Sequence, residues 1–424
     1  MFDGGEVRKA YRDHLLKPVV FPEEIVSGEG VHLIGEDGKR YLDLTSGYGV
    51  SVLGYRNEFT EKVTEGIKKQ VDLLVHNPHY LSYSSPAAEL AEKLVEFTPP
   101  GLDRLFFTNS ASEAVEGAIK VLRKASRGYE LFALHGGFHG RTMGAVSLTG
   151  ITADRYGSGP PLPGVHYLPS PFCERCSLNQ TFPACDLACA DYLQAVLKNE
   201  TSGRPAAFFV EPILGDAGVI VPPPGYFERL AEHLGENHIR LAVDETLTGF
   251  GRTGSFFACE DSGPRPDCII LGKPLGGGLP LGGFVVSEEI GNQFDNRDFS
   301  STMGGNPVAC RAGLETLKVI EKEGLLDRAG ETGGFLMDRL KELDDKRIGE
   351  VRGRGLLIGV EIVDRQEGAP DDAAAYRLKD ELMKRGFLVT IYGASTIRLT
   401  PPLILQKDHA EEFVRGLRKS IEMI

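Results

Sequence analysis

No stretch of this 424-residue chain approaches the roughly 20 consecutive apolar side chains that cross a bilayer, which excludes a membrane-spanning helix. Basic charge is also in short supply. Lys and Arg number 47 against 60 Asp and Glu, a net charge of −13. That balance argues against nucleic acid or an anionic membrane as partner, since both select a basic face. Low-complexity tracts and internal repeats are missing, so the chain reads as ordinary globular protein. Residues 1–25 carry Asp3, Glu6, Arg8, Lys9, Arg12 and Asp13 and hold no apolar core of a signal peptide. A cytoplasmic protein is expected. Cysteine is sparse and odd in number, seven, as suits a reducing compartment, although four of the seven cluster.

What is present is enough apolar residue, 41%, to bury a large core and to build two structural units. Between about 105 and 287, short apolar runs alternate with amphipathic segments. The runs lie at 105–108, 131–134, 206–210, 241–243, 269–271 and 284–286. Each is nearly all apolar and bounded by glycine, proline or charge, as in a strand covered on both faces. In segment 113–124, Val115, Ala118, Ile119 and Leu122 share one helical face. The alternation predicts an α/β fold with a mostly parallel sheet sandwiched by helices. The ends differ. Residues 31–44 read as a small hairpin turning at Gly35–Gly38. The tail after 309 reads as a helix, a Gly-rich run at 352–355, a strand at 356–362, a helix at 372–385, a strand at 387–391 and a final helix. The expected division is an N-terminal arm, 1–55, belonging to a smaller α+β domain, a large domain, 56–309, and a C-terminal small domain, 310–424.

In such a sheet, ligands gather beyond the carboxyl ends of the strands. Asn109 and Ser110 follow the first run, Glu211 the third, Asp244 the fourth and Lys273 the fifth. Lys273, between an apolar strand and a glycine-rich turn, is set to be partly desolvated. Desolvation lowers its pKa and makes the amine nucleophilic, as a Schiff-base lysine requires. The bland alternative is a loop lysine in solvent. Asp244 ends a buried strand, where a carboxylate needs a cation. The protonated ring nitrogen of pyridoxal phosphate would serve, and the alternative is a turn cap. Ser110-Ala-Ser-Glu113 has the form of a capping box, and the free N–H groups of a helix start suit a phosphate.

The segment Leu241-Ala-Val-Asp-Glu-Thr-Leu-Thr-Gly-Phe-Gly-Arg-Thr-Gly254, continued by Pro266-Asp-Cys-Ile-Ile-Leu-Gly-Lys-Pro-Leu-Gly-Gly-Gly-Leu-Pro280, resembles the signature of the class III pyridoxal-phosphate aminotransferases. Phe107-Thr-Asn-Ser-Ala-Ser-Glu-Ala114, Gly137-Phe-His-Gly-Arg-Thr142, Val210-Glu-Pro212, Ser301-Thr-Met-Gly-Gly-Asn-Pro307 and Ile397-Arg-Leu-Thr-Pro-Pro402 extend the resemblance from about residue 20 to the C-terminus. It implies the fold type I of these enzymes and a homodimer with shared active sites, with assembly to a tetramer left open.

The resemblance also implies roles. Lys273 forms the aldimine with pyridoxal 5'-phosphate and shuttles the substrate proton, and Asp244 pairs with the ring nitrogen. Phe138 stacks on the ring, with His139 beside it. Ser110, Ala111 and Ser112 hold the phosphate, with Thr302 reaching it from the neighbouring subunit. Leu247 stands where the family often has a glutamine directed at the ring hydroxyl, and Ala111 stands where a glycine is common, tolerable while φ stays negative. Arg141 resembles the arginine that grips a distal carboxylate in 4-aminobutyrate, ornithine and acetylornithine aminotransferases. Arg398 and Glu211 resemble a pair in which the arginine binds an α-carboxylate and the glutamate neutralises it when an ω-amine is bound. Tyr48 falls where ornithine enzymes carry a substrate-contacting tyrosine, and core packing is its alternative role. The expected activity is amino transfer from an ω-amino or diamino acid, such as ornithine, lysine or 4-aminobutyrate, to 2-oxoglutarate. The alternatives are a racemase or epimerase of the same family and a non-catalytic binding protein.

Two patterns point elsewhere. Gly249-Phe-Gly-Arg-Thr-Gly254 matches G-x-G-x-x-G but does not open a helix directly after a strand, so no dinucleotide site is expected. Cys173-x2-Cys176-x8-Cys185-x3-Cys189 fits a structural zinc, two disulfides, or an insertion whose thiols stay reduced. His135, His139 and His166 have no ligand spacing, and no catalytic metal is expected.

Overall fold

The computed structural model describes residues 4–16, 21, 24–261, 265–295 and 297–424. After a helix, Gly4–His14, comes a small sheet with β1 (Ile25–Glu29), β2 (His32–Gly35) and β3 (Arg40–Asp43), antiparallel in that order. The expected hairpin is β2–β3. Strand β1 had no clear pattern, because its residues stand exposed or half-exposed.

The large sheet holds β4 (Arg104–Thr108), β5 (Glu130–Leu134), β6 (Val165–Leu168), β7 (Pro205–Val210), β8 (Arg240–Asp244), β9 (Cys268–Leu271) and β10 (Gly282–Val286). Their order across the sheet is β4-β10-β9-β8-β7-β5-β6. Strands β5 to β9 pair in parallel, and β10 runs antiparallel to both neighbours. Side chains alternate between two cores. Phe208, Val210, Leu241, Val243, Ile269 and Leu271 join one. Ala207, Phe209, Ala242, Cys268 and Ile270 join the other, where Ala114, Val115, Ala118 and Leu122 of helix Ala111–Ser126 meet them. Both faces are covered, which is why each strand reads as an unbroken apolar run.

Helices Pro307–Lys322 and Leu325–Lys341 follow. Then come β11 (Ile348–Arg354), β12 (Leu357–Ile362), β13 (Phe387–Leu388), β14 (Thr390–Tyr392) and β15 (Thr396–Leu399). Strands β11-β12-β15-β14 form a third sheet, antiparallel throughout. The Gly-rich run is the end of β11 and the turn into β12. Gly353 sits at φ 144°, and a Cβ there would lie 2.1 Å from the Leu357 carbonyl oxygen. The strand expected at 387–391 divides at Val389. Phe387 and Leu388 pair in parallel with β3, whereas Thr390 to Tyr392 pair with β15. The chain's first sheet is therefore closed by a strand from near its C-terminus. Among the described residues, no helix is long and apolar enough to cross a membrane.

Candidate active site

Beyond the carboxyl ends of β7, β8 and β9 lies a cavity of about 430 Å³. Ser110, Ala111, Ser112, Phe138 and His139 border it on one side, and Glu211, Asp244, Leu247 and Lys273 on the other. Nine residues singled out in the sequence thus converge on one space.

Lys273 leaves β9 in a left-handed conformation, φ 45°, which is strained for a side chain with a Cβ. No hydrogen bond or ion pair holds its amine among the described residues. Burial presses its pKa below the ordinary lysine value, and the Arg398 charge pushes the same way, while Asp216, Asp244 and Glu211 oppose. Asp244 is buried at the end of β8. Its Oδ2 is 3.0 Å from His139 Nδ1, and its Oδ1 accepts the Thr246 N–H at 3.1 Å. His139 Nε2 is buried without a partner among the described residues.

The helix starting at Ala111 supplies the opposite wall. Ser110 caps it, accepting the Glu113 N–H at 3.2 Å. The returning arm of the expected capping box goes elsewhere. Glu113 Oε2 takes the Asn109 N–H at 2.8 Å, and Oε1 takes the Ser301 hydroxyl at 2.5 Å. Ser112 Oγ accepts the Arg141 N–H at 3.1 Å, which leaves its proton free to donate. Gly140 is required beside it, since a Cβ there would lie 2.3 Å from Ser112 Oγ. Ala111 is absent from the positive-φ positions, so its methyl is unstrained.

The donor set fits pyridoxal phosphate. Helix-start N–H groups and serine hydroxyls suit the phosphate, buried Asp244 suits a protonated ring nitrogen, and Lys273 offers an unpaired, partly desolvated amine. Phe138 supplies an apolar face beside them.

Among the described residues, Glu211 and Arg398 form no direct ion pair in this structure. Arg398 Nη1 donates to Asp216 Oδ1 at 2.5 Å, and its guanidinium lies 3.5 Å over the Tyr392 ring. Arg398 is buried, and its Nε has no partner among the described residues. Glu211 instead accepts the N–H groups of Phe138, at 2.9 Å, and Gly215, at 3.1 Å. Burial, aided by Asp244 and Asp216 and opposed by His139, pushes its carboxyl up to about 7. Sequence reasoning missed Asp216, which borders the cavity where Arg398 does not.

Three other expected residues lie outside the cavity wall. Arg141 is exposed, pairs with Asp154 at 3.1 Å and lies 5.2 Å from the Phe138 ring centre. Tyr48 is half exposed in a left-handed turn, φ 64°. Thr302 is exposed next to buried Ser301.

Cys173, Cys176, Cys185 and Cys189 are free thiols that border one small cavity of about 20 Å³ with Phe172 and Phe182. Among the described residues, no group of three or more His, Cys, Asp or Glu is placed to hold a metal ion.

The sequence pattern described as aminotransferase class-III matches residues 17–421. The chain is 38% identical over 394 residues to the leucine/methionine racemase of Thermococcus litoralis, covering 90% of this chain and 87% of that one. It is 37% identical over 401 residues to the acetylornithine aminotransferase of Methanopyrus kandleri, covering 95% of each. The omega transaminase from Pseudomonas jessenii, solved in complex with PMP, superposes with a TM-score of 0.93 at 28% identity, over 98% of both chains.

Proposed function

This chain belongs to the class III aminotransferases, a pyridoxal-phosphate family of fold type I, and on that footing we propose that it moves an amino group from an ω-amino or diamino acid to 2-oxoglutarate. The observation that carries this reading is the Arg398–Asp216 pair. A site that serves both partners of the exchange meets an amine in one half-reaction and a carboxylate beside an oxo group in the other. An arginine with an internal counter-ion accommodates both. Asp216 neutralises it while an amine-bearing donor is bound and yields it to the carboxylate of 2-oxoglutarate. The Nε of the same guanidinium, without a partner among the described residues, is a further donor for that carboxylate.

When bound, pyridoxal phosphate supplies the electron sink that acidifies the carbon bearing the amino group. Lys273 takes the proton from that carbon and returns it, as a depressed amine pKa allows near neutral pH. Asp244, steadied by His139, holds the ring nitrogen in its protonated form. Ser110, Ala111 and Ser112 hold the phosphate, and Phe138 and Leu247 confine the ring. Tyr48 and Arg141 serve the distal end of the substrate. Purified holoenzyme given ornithine, lysine or 4-aminobutyrate with 2-oxoglutarate is expected to form glutamate, and Lys273→Ala to form none. Glutamate formation by that variant would overturn the assignment.

A second reading is amino-acid racemisation, and Asp216 favours it. With Lys273 it gives the cavity two groups able to carry a proton, and a 38% identical relative is named a racemase. Loss of chirality in an amino acid without any oxo acid, abolished by Asp216→Asn, would decide for it.

We further propose a homodimer in which Thr302 completes the neighbour's phosphate site. Leu73, Leu81, Tyr83 and Met303 are exposed. His79 Nδ1 lies 3.0 Å from the Gly304 carbonyl, which joins the first stretch to the Thr302 segment. An apolar surface of this kind marks an interface. The division 1–55, 56–309 and 310–424 is supported by the β3–β13 pairing, which returns the N-terminal arm to the C-terminal part.

A further inference from the structure

Between β6 and the helix Ala188–Asn199 the chain makes an excursion with almost no core of its own. From Phe172 to Asp186 no residue is buried, and neither helix nor strand forms. Two turns shape it. The Asn179 N–H reaches the Cys176 carbonyl at 3.0 Å, and the Cys185 N–H reaches the Thr181 carbonyl at 2.9 Å. Asp186 and Leu187 then take left-handed backbone, φ 45° and 62°, which side chains with a Cβ hold only where their surroundings impose it. The reversal brings Cys185 and Cys189 back to Cys173 and Cys176, so that four thiols border one space of about 20 Å³. That is room for about one water molecule. The excursion also straps two sheets together. Arg352 of β11 lies 4.8 Å from the Phe172 ring centre, and Arg175 Nε donates to Glu361 Oε1 of β12 at 2.8 Å.

We propose that this thiol cluster is a modification site for small disulfide oxidants, at which Cys173 and Cys185 form a reversible cross-link that staples the excursion. Cys173 is the exposed thiol of the four and so the point of entry. Burial raises its pKa, and Cys185 adds more to the rise than Cys176 does, as a close neighbour would. Cys189 is the slower partner, since burial pushes its thiol up to about 11. In the first step the Cys173 thiolate attacks one sulfur of the oxidant, and the other half leaves as a thiolate. In the second, the Cys185 thiolate attacks the Cys173 sulfur of the mixed disulfide and expels the remaining half. The two protein thiols lose two electrons and two protons, and the oxidant gains both pairs to become two thiols. The new bond joins residues twelve positions apart, across a stretch that burial leaves unsupported.

The test takes full-length holoenzyme, reduced and then equilibrated with glutathione disulfide at about pH 8.5, where more thiol ionises. Thiols counted after denaturation are expected to fall from seven to five per chain. Cleavage after Arg175 and before Asp186, without reduction, should leave the Cys173 peptide joined to peptide 176–185 and the Cys189 peptide free. The melting temperature is expected to rise by about 3 °C over the reduced protein, and dithiothreitol to reverse the rise. Cys185→Ser should form no cross-link and show no rise, whereas Cys176→Ser should keep both. If the serine variants do not fold, the wild-type peptide map and its reversal by dithiothreitol decide alone. The proposal is overturned if seven thiols survive the oxidant, or if Cys173 stops at a glutathione adduct. A bond from Cys173 to Cys176 or Cys189, or a cross-link without a rise in melting temperature, would equally overturn it. So would one zinc ion per chain on the reduced protein, which would make the thiols ligands instead.

Discussion

Replacing Asp216 by Asn probes the ion pair at its strongest point. Arg398 is 1% exposed and Asp216 16%, so water screens the pair little. Removing one partner of a buried pair costs about 3–5 kcal/mol, because the other charge stays buried and uncompensated. The asparagine oxygen still accepts from Nη1, so a loss of roughly 2–4 kcal/mol is expected here. For 424 residues the unfolding entropy is about 0.9 kcal/mol per degree, and the melting temperature falls by roughly 2–5 °C. A carboxylate ligand should reverse the loss, since it binds Arg398 without first displacing Asp216. Saturation at about 100 times Kd restores some 2.7 kcal/mol. The KM for 2-oxoglutarate is expected to fall about tenfold, equivalent to some 1.4 kcal/mol, and that of a diamino donor to rise. Two titrations should move as well. Asp216 opposes the lowering of the Lys273 pKa and adds to the raising of the Glu211 pKa, so both values fall in the variant. Scanning calorimetry with and without 2-oxoglutarate, beside steady-state kinetics, measures all of this. An unchanged melting temperature together with an unchanged KM for 2-oxoglutarate would refute the reasoning.

Ser110→Ala removes the helix cap and is expected to cost about 1 kcal/mol of stability and to speed cofactor loss on dilution, read from the decay of cofactor absorbance. Glu211 binds a proton more tightly folded than unfolded, so its contribution to stability is full below about pH 4.5 and is lost as pH rises through about 7. Glu211→Gln should accordingly be more destabilising at pH 5 than at pH 8 in paired thermal melts, and the opposite order would contradict the assignment. Burial pushes the Cys189 thiol up to about 11, leaving about one molecule in a thousand as thiolate at pH 8. Mass spectrometry after brief alkylation should find exposed Cys173 labelled well before Cys189, and equal labelling would argue against the buried placement.

The strands were legible because burial on both faces writes itself into sequence as contiguous apolar residues, and Glu211, Asp244 and Lys273 were legible because each follows such a run. Asp216 was not. It lies six positions past its strand in a turn, and its meeting with Arg398 on β15 is made entirely by tertiary structure. The N–H groups that Glu211 holds were not legible either, since they belong to backbone and leave no trace in residue type. Strand β6 passed unread because Val165, His166 and Tyr167 are only partly buried and break the apolar run. Ser110 and Glu113 had the spacing of a capping box. Spacing does not reveal that Ser301, far along the chain, draws Glu113 away. At Val389 a run of apolar residues concealed a change of partner, which periodicity cannot register.

That change of partner bears on how the chain is made. A ribosome delivers β1, β2 and β3 early, but the strand that covers the outer side of β3 arrives some 340 residues later, at Phe387. For most of synthesis the backbone N–H and C=O groups of β3 on that side are an open edge able to template intermolecular pairing. Arg40 at the start of β3, a charge of the kind that blunts such edges, therefore guards the nascent protein as much as the finished one.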